Sequence, residues 1–477
     1  MELIVLDYLH LTKRFGIIGA SQLPLHYLLA MRSPSSPVQF LTRLAHEELK
    51  AVHQVLGRII FLFFVLHATF YMNFFIVGGY LSRRIKEKDV IFGIISIILF
   101  ATLSTTALAQ LRKRNYRIFY ISHVTIANLV IVTLWIHVHH IRFYIYQVVL
   151  IYGFHMILRS LSLNIFSGTI KLLPGTSLVQ VRVRLRGNEP VFNWKPGQHV
   201  YLSRPTGTTY SMTIAQQIAL RNQTNPFTVA SIPRQDKELL LVARTMKGNT
   251  RHLAQLAKQF SATGSEDVAN IPLALEGPYG ASIRLPDFRT FDRILLVAGG
   301  VGATFIMPVY RTIIASRDPE QTVHTPIRFI WAVRKLAEAQ WAKLPSAHHA
   351  NGHTTNESEA TSSSTAASPF KDNVEVYVTR PEGASLQTGD EGDDIELAED
   401  EQLLSMEEQT VKPREGMTVH TGRPKVSAIV DEVCGNAYRV AVIACGPRAL
   451  TEELSWSVEQ WIGSGLDIYW HNETFGW

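Results

Sequence analysis

Two patterns of apolar positions divide this chain near residue 165. Before that point, apolar residues come in runs of about twenty, the length at which a helix crosses the hydrocarbon core of a bilayer. The runs fall at about 14–31, 53–77, 90–110, 117–140 and 143–162, and Pro24 and His26 interrupt the first. After residue 165 the runs are short. "VQVRVRLR" alternates from Val179 to Arg186, as a half-buried strand does. "WKPGQHVYLSRP" (194–205) then supplies a Pro-Gly turn and a second strand. "NPFTVAS" (225–231), "ELLLVARTMKGNTRHL" (238–253) and "LALEGPYG" (273–280) continue the series. Short strands, Gly/Pro turns and one helix near 250–260 predict a small antiparallel barrel. From Arg293, "RILLVAGGVGATFIMPVY" reads as strand, glycine turn and helix, the setting in which backbone N–H groups meet a nucleotide phosphate. Apolar strands at 327–334, 374–380 and 439–447 extend this into a parallel sheet.

Composition changes the picture only locally. Across 477 residues, 47% hydrophobic and 18% charged content are averages of two unlike halves. The net charge of +6 is scattered, with no basic helix or aromatic-interleaved basic stripe, so nucleic acid is excluded as a partner. Two cysteines, Cys434 and Cys445, rule out a disulfide framework and fit a reducing compartment. The stretches 345–372, rich in Ser, Thr, His and Ala, and 381–416, carrying "DEGDDIELAEDE", read as disordered insertions. "MELIVLDYLHLTKR" lacks the basic start and cleavage site of a secretory signal. Arg112, Lys113, Arg114 and Arg117 mark one loop as cytosolic. Arg83, Arg84, Lys86 and Lys88 crowd the preceding loop, which then lies outside. The large soluble half is assigned to the cytosol.

Four histidines inside the apolar runs carry the first chemical signal. His53 and His67 are fourteen residues apart, and so are His123 and His137. Fourteen residues at ~100° each close to within ~40° of whole turns, so each pair shares a helix face. A rise of ~1.5 Å per residue separates its members by ~21 Å, too far to share one metal ion. Two runs separated by a single intervening run are parallel. His53 therefore faces His123 at one depth, and His67 faces His137 at the other. Isolated packing histidines are the bland alternative, but ionisable groups in spans are costly, and chance repetition of the spacing is a poor account. Two bis-histidine haems fit, with iron suited to electron transfer. His139 and His140 have no partner at that spacing and read as interface residues.

The ordered set of paired histidines, PGQ, PFT, EGPYG, GGVGAT, CGP and an aromatic terminus resembles the fungal ferric reductase transmembrane components. These belong to the flavocytochrome b ferric reductase and NADPH oxidase superfamily. The resemblance implies a haem-binding transmembrane bundle (1–164) and a ferredoxin-NADP reductase-like module: an FAD-binding barrel (165–288) and an NADPH-binding α/β domain (289–477). Pro196, Gly197, Gln198 and His199 match a turn at the flavin's edge. Pro226, Phe227 and Thr228 match the flavin motif, which in relatives begins with His where this chain has Asn225. Arg244 and Gly248 to Thr250 match the flavin pyrophosphate site. Gly277, Tyr279 and Gly280 match the loop joining the lobes. Gly299, Gly300, Gly302 and Thr304 match the NADPH pyrophosphate turn, and Cys445, Gly446 and Pro447 the loop bordering nicotinamide. Arg334, Arg423 or both are the candidates for the 2′-phosphate. Phe475 matches the aromatic lid over the flavin, with Trp477 as runner-up.

The implied activity passes electrons from cytosolic NADPH through FAD and two b-type haems to an extracytoplasmic ferric or cupric chelate. A superoxide-generating NADPH oxidase and a truncated, non-catalytic partner subunit are the alternatives, because relatives carry a further span or two before the first one here. The expected setting is the plasma membrane, or alternatively the vacuolar one, with a metal-uptake permease or oxidase as partner.

Overall fold

A computed structural model of the chain describes residues 2–32, 36–44, 46–114, 116–185, 193–203, 224–246, 249–262, 271–280, 285–317, 325–344, 374–379 and 412–474. It divides into two compact units, Met1–Leu163 and Asn164–Gly476. Both insertions called from composition lie outside the described residues, apart from 412–416.

The first unit is helical: α1 (Glu2–Ser21), α2 (Leu23–Leu29), α3 (Pro37–Thr42), α4 (His46–Val77), α5 (Leu81–Arg84), α6 (Lys88–Thr106), α7 (Ala109–Arg114), α8 (Tyr116–His137) and α9 (Arg142–Ser162). A short 3₁₀ turn, His139–Ile141, joins α8 to α9. Among the described residues, α4, α6, α8 and α9 are long and apolar enough to cross a membrane. The expected run at 14–31 is instead two helices. Pro24 has no N–H to donate and sits in the first turn of α2, so the chain breaks after Ser21. Helix α1 also starts earlier than the apolar run, at Glu2, and includes the charged Asp7, Lys13 and Arg14 that had hidden it. It packs along α4: the Tyr8 hydroxyl donates to the Phe70 carbonyl at 3.1 Å, and the Tyr8 and Phe70 rings stack at 5.4 Å. Ile60, Phe64, Val130, Leu134, Ile145 and Val148 form the centre of the bundle. Without a hydrophobic drive between helices in lipid, close packing and polar links hold such bundles. Ser96 on α6 supplies one, donating to Thr133 on α8 at 2.8 Å.

The second unit holds two six-stranded sheets. The first contains β1 (Leu163–Leu172), β2 (Leu178–Arg184), β3 (His199–Ser203), β4 (Thr224–Thr228), β5 (Glu238–Arg244) and β6 (Ile271–Tyr279), in the order β4-β3-β6-β1-β2-β5. A bridge between Val229 and Leu241 joins the two ends, so the sheet closes on Val181, Val183, Val200, Leu202, Leu239 and Leu273. A short helix α10 (Pro233–Asp236) and the longer α11 (Asn249–Ala262) accompany it. Strand β1 directly follows the last membrane helix and was not among the expected strands, the first of which began at Val179.

The second sheet is parallel, in the order β10-β9-β8-β7-β11-β12. Its strands are β7 (Arg293–Gly299), β8 (Ile327–Val333), β9 (Val374–Val378), β10 (Met417–Thr421), β11 (Arg439–Cys445) and β12 (Asp467–Glu473). Side chains alternate along β7. Ile294, Leu296 and Ala298 join the core under α12 (Ala303–Ala315), and Leu295 and Val297 join the core under α13 (Val426–Cys434) and α14 (Arg448–Gly463). A strand buried on both faces reads as a continuous apolar run, as β7 does.

Candidate functional site

In the first unit the structure brings His67 and His137 together. Their ring centres are 6.4 Å apart with planes at 83°. Two imidazoles bound through Nε2 on opposite sides of one iron have ring centres about 6 Å apart, from a metal–N distance of ~2.0 Å. Each ring meets a main-chain carbonyl through Nδ1: His67 meets Thr12 at 2.8 Å and His137 meets Asp89 at 2.5 Å. A donor at Nδ1 fixes the tautomer and leaves Nε2 as the ligand atom. Glycines make the fit possible. A Cβ on Gly16 would lie 2.7 Å from His67 Nδ1, and one on Gly93 would lie 2.6 Å from His137 Cε1. The residues present therefore fit a haem at this level.

The other level holds a third histidine. His53 Nδ1 meets the His26 carbonyl at 3.1 Å, while the His123 ring contacts that of Phe119 at 5.3 Å. The His26 ring lies flat on that of His53, with centres 3.9 Å apart and planes at 11°. The Nδ1 atoms of His26 and His123 are buried without a hydrogen-bond partner among the described residues. Polar atoms left in that state are costly, and among the described residues His123 lacks the Nδ1 anchor that both rings of the outer pair have. His26 was legible only as an interruption of a span; nothing in the sequence paired it with His53.

In the barrel, three of the sequence-predicted segments meet at one rim. Antiparallel pairing sets His199 opposite Thr228, Val200 opposite Phe227 and Tyr201 opposite Pro226. After Pro196, Gly197 turns the chain with φ +82, a region open to glycine at little cost. Gln198 folds back so that its side-chain carbonyl accepts from the Lys195 N–H at 2.8 Å. Gly280 lies against His199; a Cβ there would be 3.0 Å from Nδ1. Strand β5 ends at Arg244, and α11 begins five residues later with Asn249 and Thr250. The Asn249 side-chain amide is buried, and neither its oxygen nor its nitrogen has a partner among the described residues. A helix N-terminus with an orphaned amide fits a pyrophosphate. Gly248 lies outside the described residues.

Arg244 reaches into the nucleotide lobe. Its guanidinium pairs with the buried Glu338 at 3.3 Å, and Gly300 lies under it. The other Glu338 oxygen accepts from the Arg334 N–H at 3.3 Å. At the end of β7, the glycine turn packs directly on the end of β11. A Cβ on Gly299 would meet Pro447 Cδ at 2.3 Å, and one on Gly302 would meet the Cys445 carbonyl oxygen at 2.1 Å. The two nucleotide segments, Gly299–Thr304 and Cys445–Pro447, are thus one surface. The Thr304 hydroxyl is used locally, donating to the Val301 carbonyl at 2.8 Å.

Cys445 is fully buried, and burial pushes its thiol well above the usual range. The Glu473 carboxylate, opposite it on β12, pushes the same way. Glu473 also accepts from His471 at 3.1 Å, and the His471 ring stacks on Phe305 at 5.7 Å. Sequence reading gave no role to Glu338, His471 or Glu473: Glu338 lies in a 3₁₀ turn after β8, and His471 and Glu473 are placed by the register of β12, none of them by a motif. The two arginine candidates separate. Arg334 follows β8, next to β7, whereas Arg423 follows β10, two strands further out and about 10 Å away at ~4.8 Å per strand. Arg423 lines a cavity of about 390 Å³ with Tyr377, His420 and Lys425. Phe475 and Trp477 lie outside the described residues.

Known families match in the same order as these elements. The ferric reductase like transmembrane component matches residues 15–134, an FAD-binding domain matches 163–283, and the ferric reductase NAD binding domain matches 291–459. Ferric reductase transmembrane component 4 of Saccharomyces cerevisiae is 28% identical over 448 residues, which is 91% of this chain and 58% of that protein. The probable metalloreductase AIM14 of Meyerozyma guilliermondii is 25% identical over 471 residues, covering 96% of this chain and 82% of that one. Among solved structures, a ferredoxin NADP+ reductase from Neisseria gonorrhoeae is similar at 12% identity and a TM-score of 0.36, covering 66% of this chain and 98% of that one. This chain spans a little under three fifths (58%) of the yeast protein.

Proposed function

We propose, for a chain that belongs to the ferric reductase family and carries its transmembrane, FAD-binding and NAD-binding domains, that it is an integral membrane oxidoreductase taking electrons from cytosolic NADPH and delivering them singly to a ferric or cupric chelate across the membrane. Bound FAD would divide the hydride pair into single electrons, and two b-type haems would carry them through the bilayer.

The chain's own residues do the binding and orienting. His67 and His137 hold the outer haem, with the Thr12 and Asp89 carbonyls fixing their rings. His53 and His123 hold the inner one. Residues 165–288 hold FAD: the Pro196–His199 turn and Pro226–Thr228 border the ring, and Arg244, Gly248, Asn249 and Thr250 take the pyrophosphate. Residues 289–477 hold NADPH, with Gly299, Gly300, Gly302 and Thr304 at its pyrophosphate and Cys445–Pro447 beside the nicotinamide. Arg334 is the better placed of the two arginines to read the 2′-phosphate, because the fingerprint position is the end of the strand next to the glycine turn. Phe475 would cover the flavin face. The yeast ferric reductase and metalloreductase relatives support the choice of acceptor.

The observation that carries this reading is the 6.4 Å pair His67 and His137, each ring anchored at Nδ1. Reduced-minus-oxidised spectra of membranes containing the chain test it. The wild type should show b-type absorbance, and a His67→Ala, His137→Ala double variant should keep roughly half of it, one haem of two. Undiminished absorbance in the double variant sinks the assignment. The same membranes should reduce ferric citrate with NADPH in preference to NADH, and superoxide as the main product would move the acceptor to dioxygen.

A further inference from the structure

The turn after α8 is built to present two imidazoles. Val138 is extended, and the chain then makes the single 3₁₀ turn His139–Ile141. Ile141 is buried and anchors the turn from below, which leaves His139 and His140 exposed. Arg142 braces it from α9. Its guanidinium lies 4.4 Å from the Trp135 ring centre and donates to the Trp135 carbonyl at 3.0 Å. The His139 and His140 rings are 3.8 Å apart. Two imidazoles bound at right angles to one ion have ring centres about 4.5 Å apart at a metal–N distance of ~2.0 Å, a spacing close to that of this pair, whose planes lie at 53°.

The surroundings suit an anionic carrier of that metal. His137 meets the Asp89 carbonyl, so the segment from α5 to the start of α6 reaches the same end of the bundle. Among its exposed cations, Arg84 is paired with Glu87, while Arg83, Lys86 and Lys88 form no ion pair among the described residues. The pair follows His137 by two and three residues, at most about 11 Å along the chain.

We propose that His139 and His140 bind Cu(II), presented as an anionic carboxylate chelate, and make the cupric ion a preferred electron acceptor of this chain. Imidazole nitrogen sites favour Cu(II) over the other divalent first-row ions, whereas hard ions such as Fe(III) are served by oxygen ligands. Two imidazoles leave the remaining positions to the chelate's carboxylates, and the unpaired cations offset its charge. The step is a single electron transfer, Cu(II) to Cu(I), with the outer haem iron oxidised from Fe(II) to Fe(III) and no proton moved. The electron donor rests on the function proposed above; the copper site does not.

Electron paramagnetic resonance of cupric citrate added to membranes with the full-length, oxidised chain tests the site. The wild type should show nitrogen couplings on copper, and a His139→Gln, His140→Gln variant should lose them. After dithionite reduction, the variant should need about tenfold more cupric citrate for half-maximal haem reoxidation, with ferric citrate unchanged. Copper without nitrogen couplings in the wild type, couplings that persist in the variant, or equal losses with both chelates would each overturn the proposal. Nitrogen-coupled copper in wild-type membranes that lack haem absorbance would support the site while removing the haem reading.

Discussion

A methyl group is enough to question the outer histidine pair. Gly16→Ala places a carbon 2.7 Å from His67 Nδ1, and Gly93→Ala places one 2.6 Å from His137 Cε1, both closer than atoms in contact can stand. Each ring must tilt away from its carbonyl, so we expect either change to alter the low-spin signal of one haem while the protein still accumulates. Identical spectra for both variants would mean that the rings are not held against α1 and α6. His26→Leu should perturb the other haem only, since its ring lies on His53; a shift of both signals would contradict that placement. The cysteines make a simpler test. Burial raises the Cys434 thiol to about 11 and pushes that of Cys445 well above the usual range, and thiolate is the reactive form. Both should resist iodoacetamide at pH 8 in the native chain and react after denaturation; rapid labelling of the native chain would show that Cys445 is accessible. The fourteen-residue spacing was legible because helical periodicity is a local property. The stack of His26 on His53 was not, because it depends on how α2 returns over α4 after the break at Pro24.

At the scale of elements, a buried ion pair pins the barrel to the nucleotide lobe. Arg311 on α12 donates to both oxygens of Asp236 at the end of α10, at 2.7 and 3.1 Å, and to Gln235 at 2.9 Å. Both side chains are under 10% exposed. Removing one partner of a buried pair typically costs about 3–5 kcal/mol, because the other charge is left behind. Arg311→Met should therefore lower the melting temperature of the soluble half well beyond a surface substitution such as Arg448→Met; equal melting temperatures would remove the pin. Burial alone would raise the Asp236 pKa, but hydrogen bonds from Arg311 and the Ile232 N–H, with the Arg311 and Lys343 charges, hold it below the usual range. A depressed carboxylate stabilises the fold above its unfolded pKa of ~3.9, and that share is lost as pH falls through the lower folded value. The stability difference between the wild type and Arg311→Met should thus be full above about pH 4 and narrow as the pH falls below it. The barrel strands and β7 were readable because alternation and apolar runs report burial directly. Strand β10 was not: Met417–Thr421 is an edge strand with few buried positions, so its pattern carries little signal.

The whole molecule is two units, each with its own core, joined in the chain where α9 passes into β1. A domain with its own core can fold alone. Residues 164–477 expressed without the helices should remain soluble, bind FAD and accept electrons from NADPH with an artificial dye, and show no haem absorbance. An insoluble or flavin-free product would mean that the barrel needs the bundle. The order of units was legible from the change in apolar run length. The join was not placed to the residue, because "SLNIFSGTIKL" is apolar enough to prolong a helix and folds as a strand.

The carbonyl that holds His67 also sets a schedule. Seventy residues separate His67 from His137. At ~5–20 residues per second of synthesis, roughly 4–14 s pass between the emergence of the two. Thr12, which fixes the His67 ring, is made before either. During those seconds the outer site is half built but already aimed. On the proposed haem ligation, capture at that depth would follow the insertion of α8, and a ribosome halted before His137 would leave a membrane protein with an oriented histidine and nothing to close the iron against.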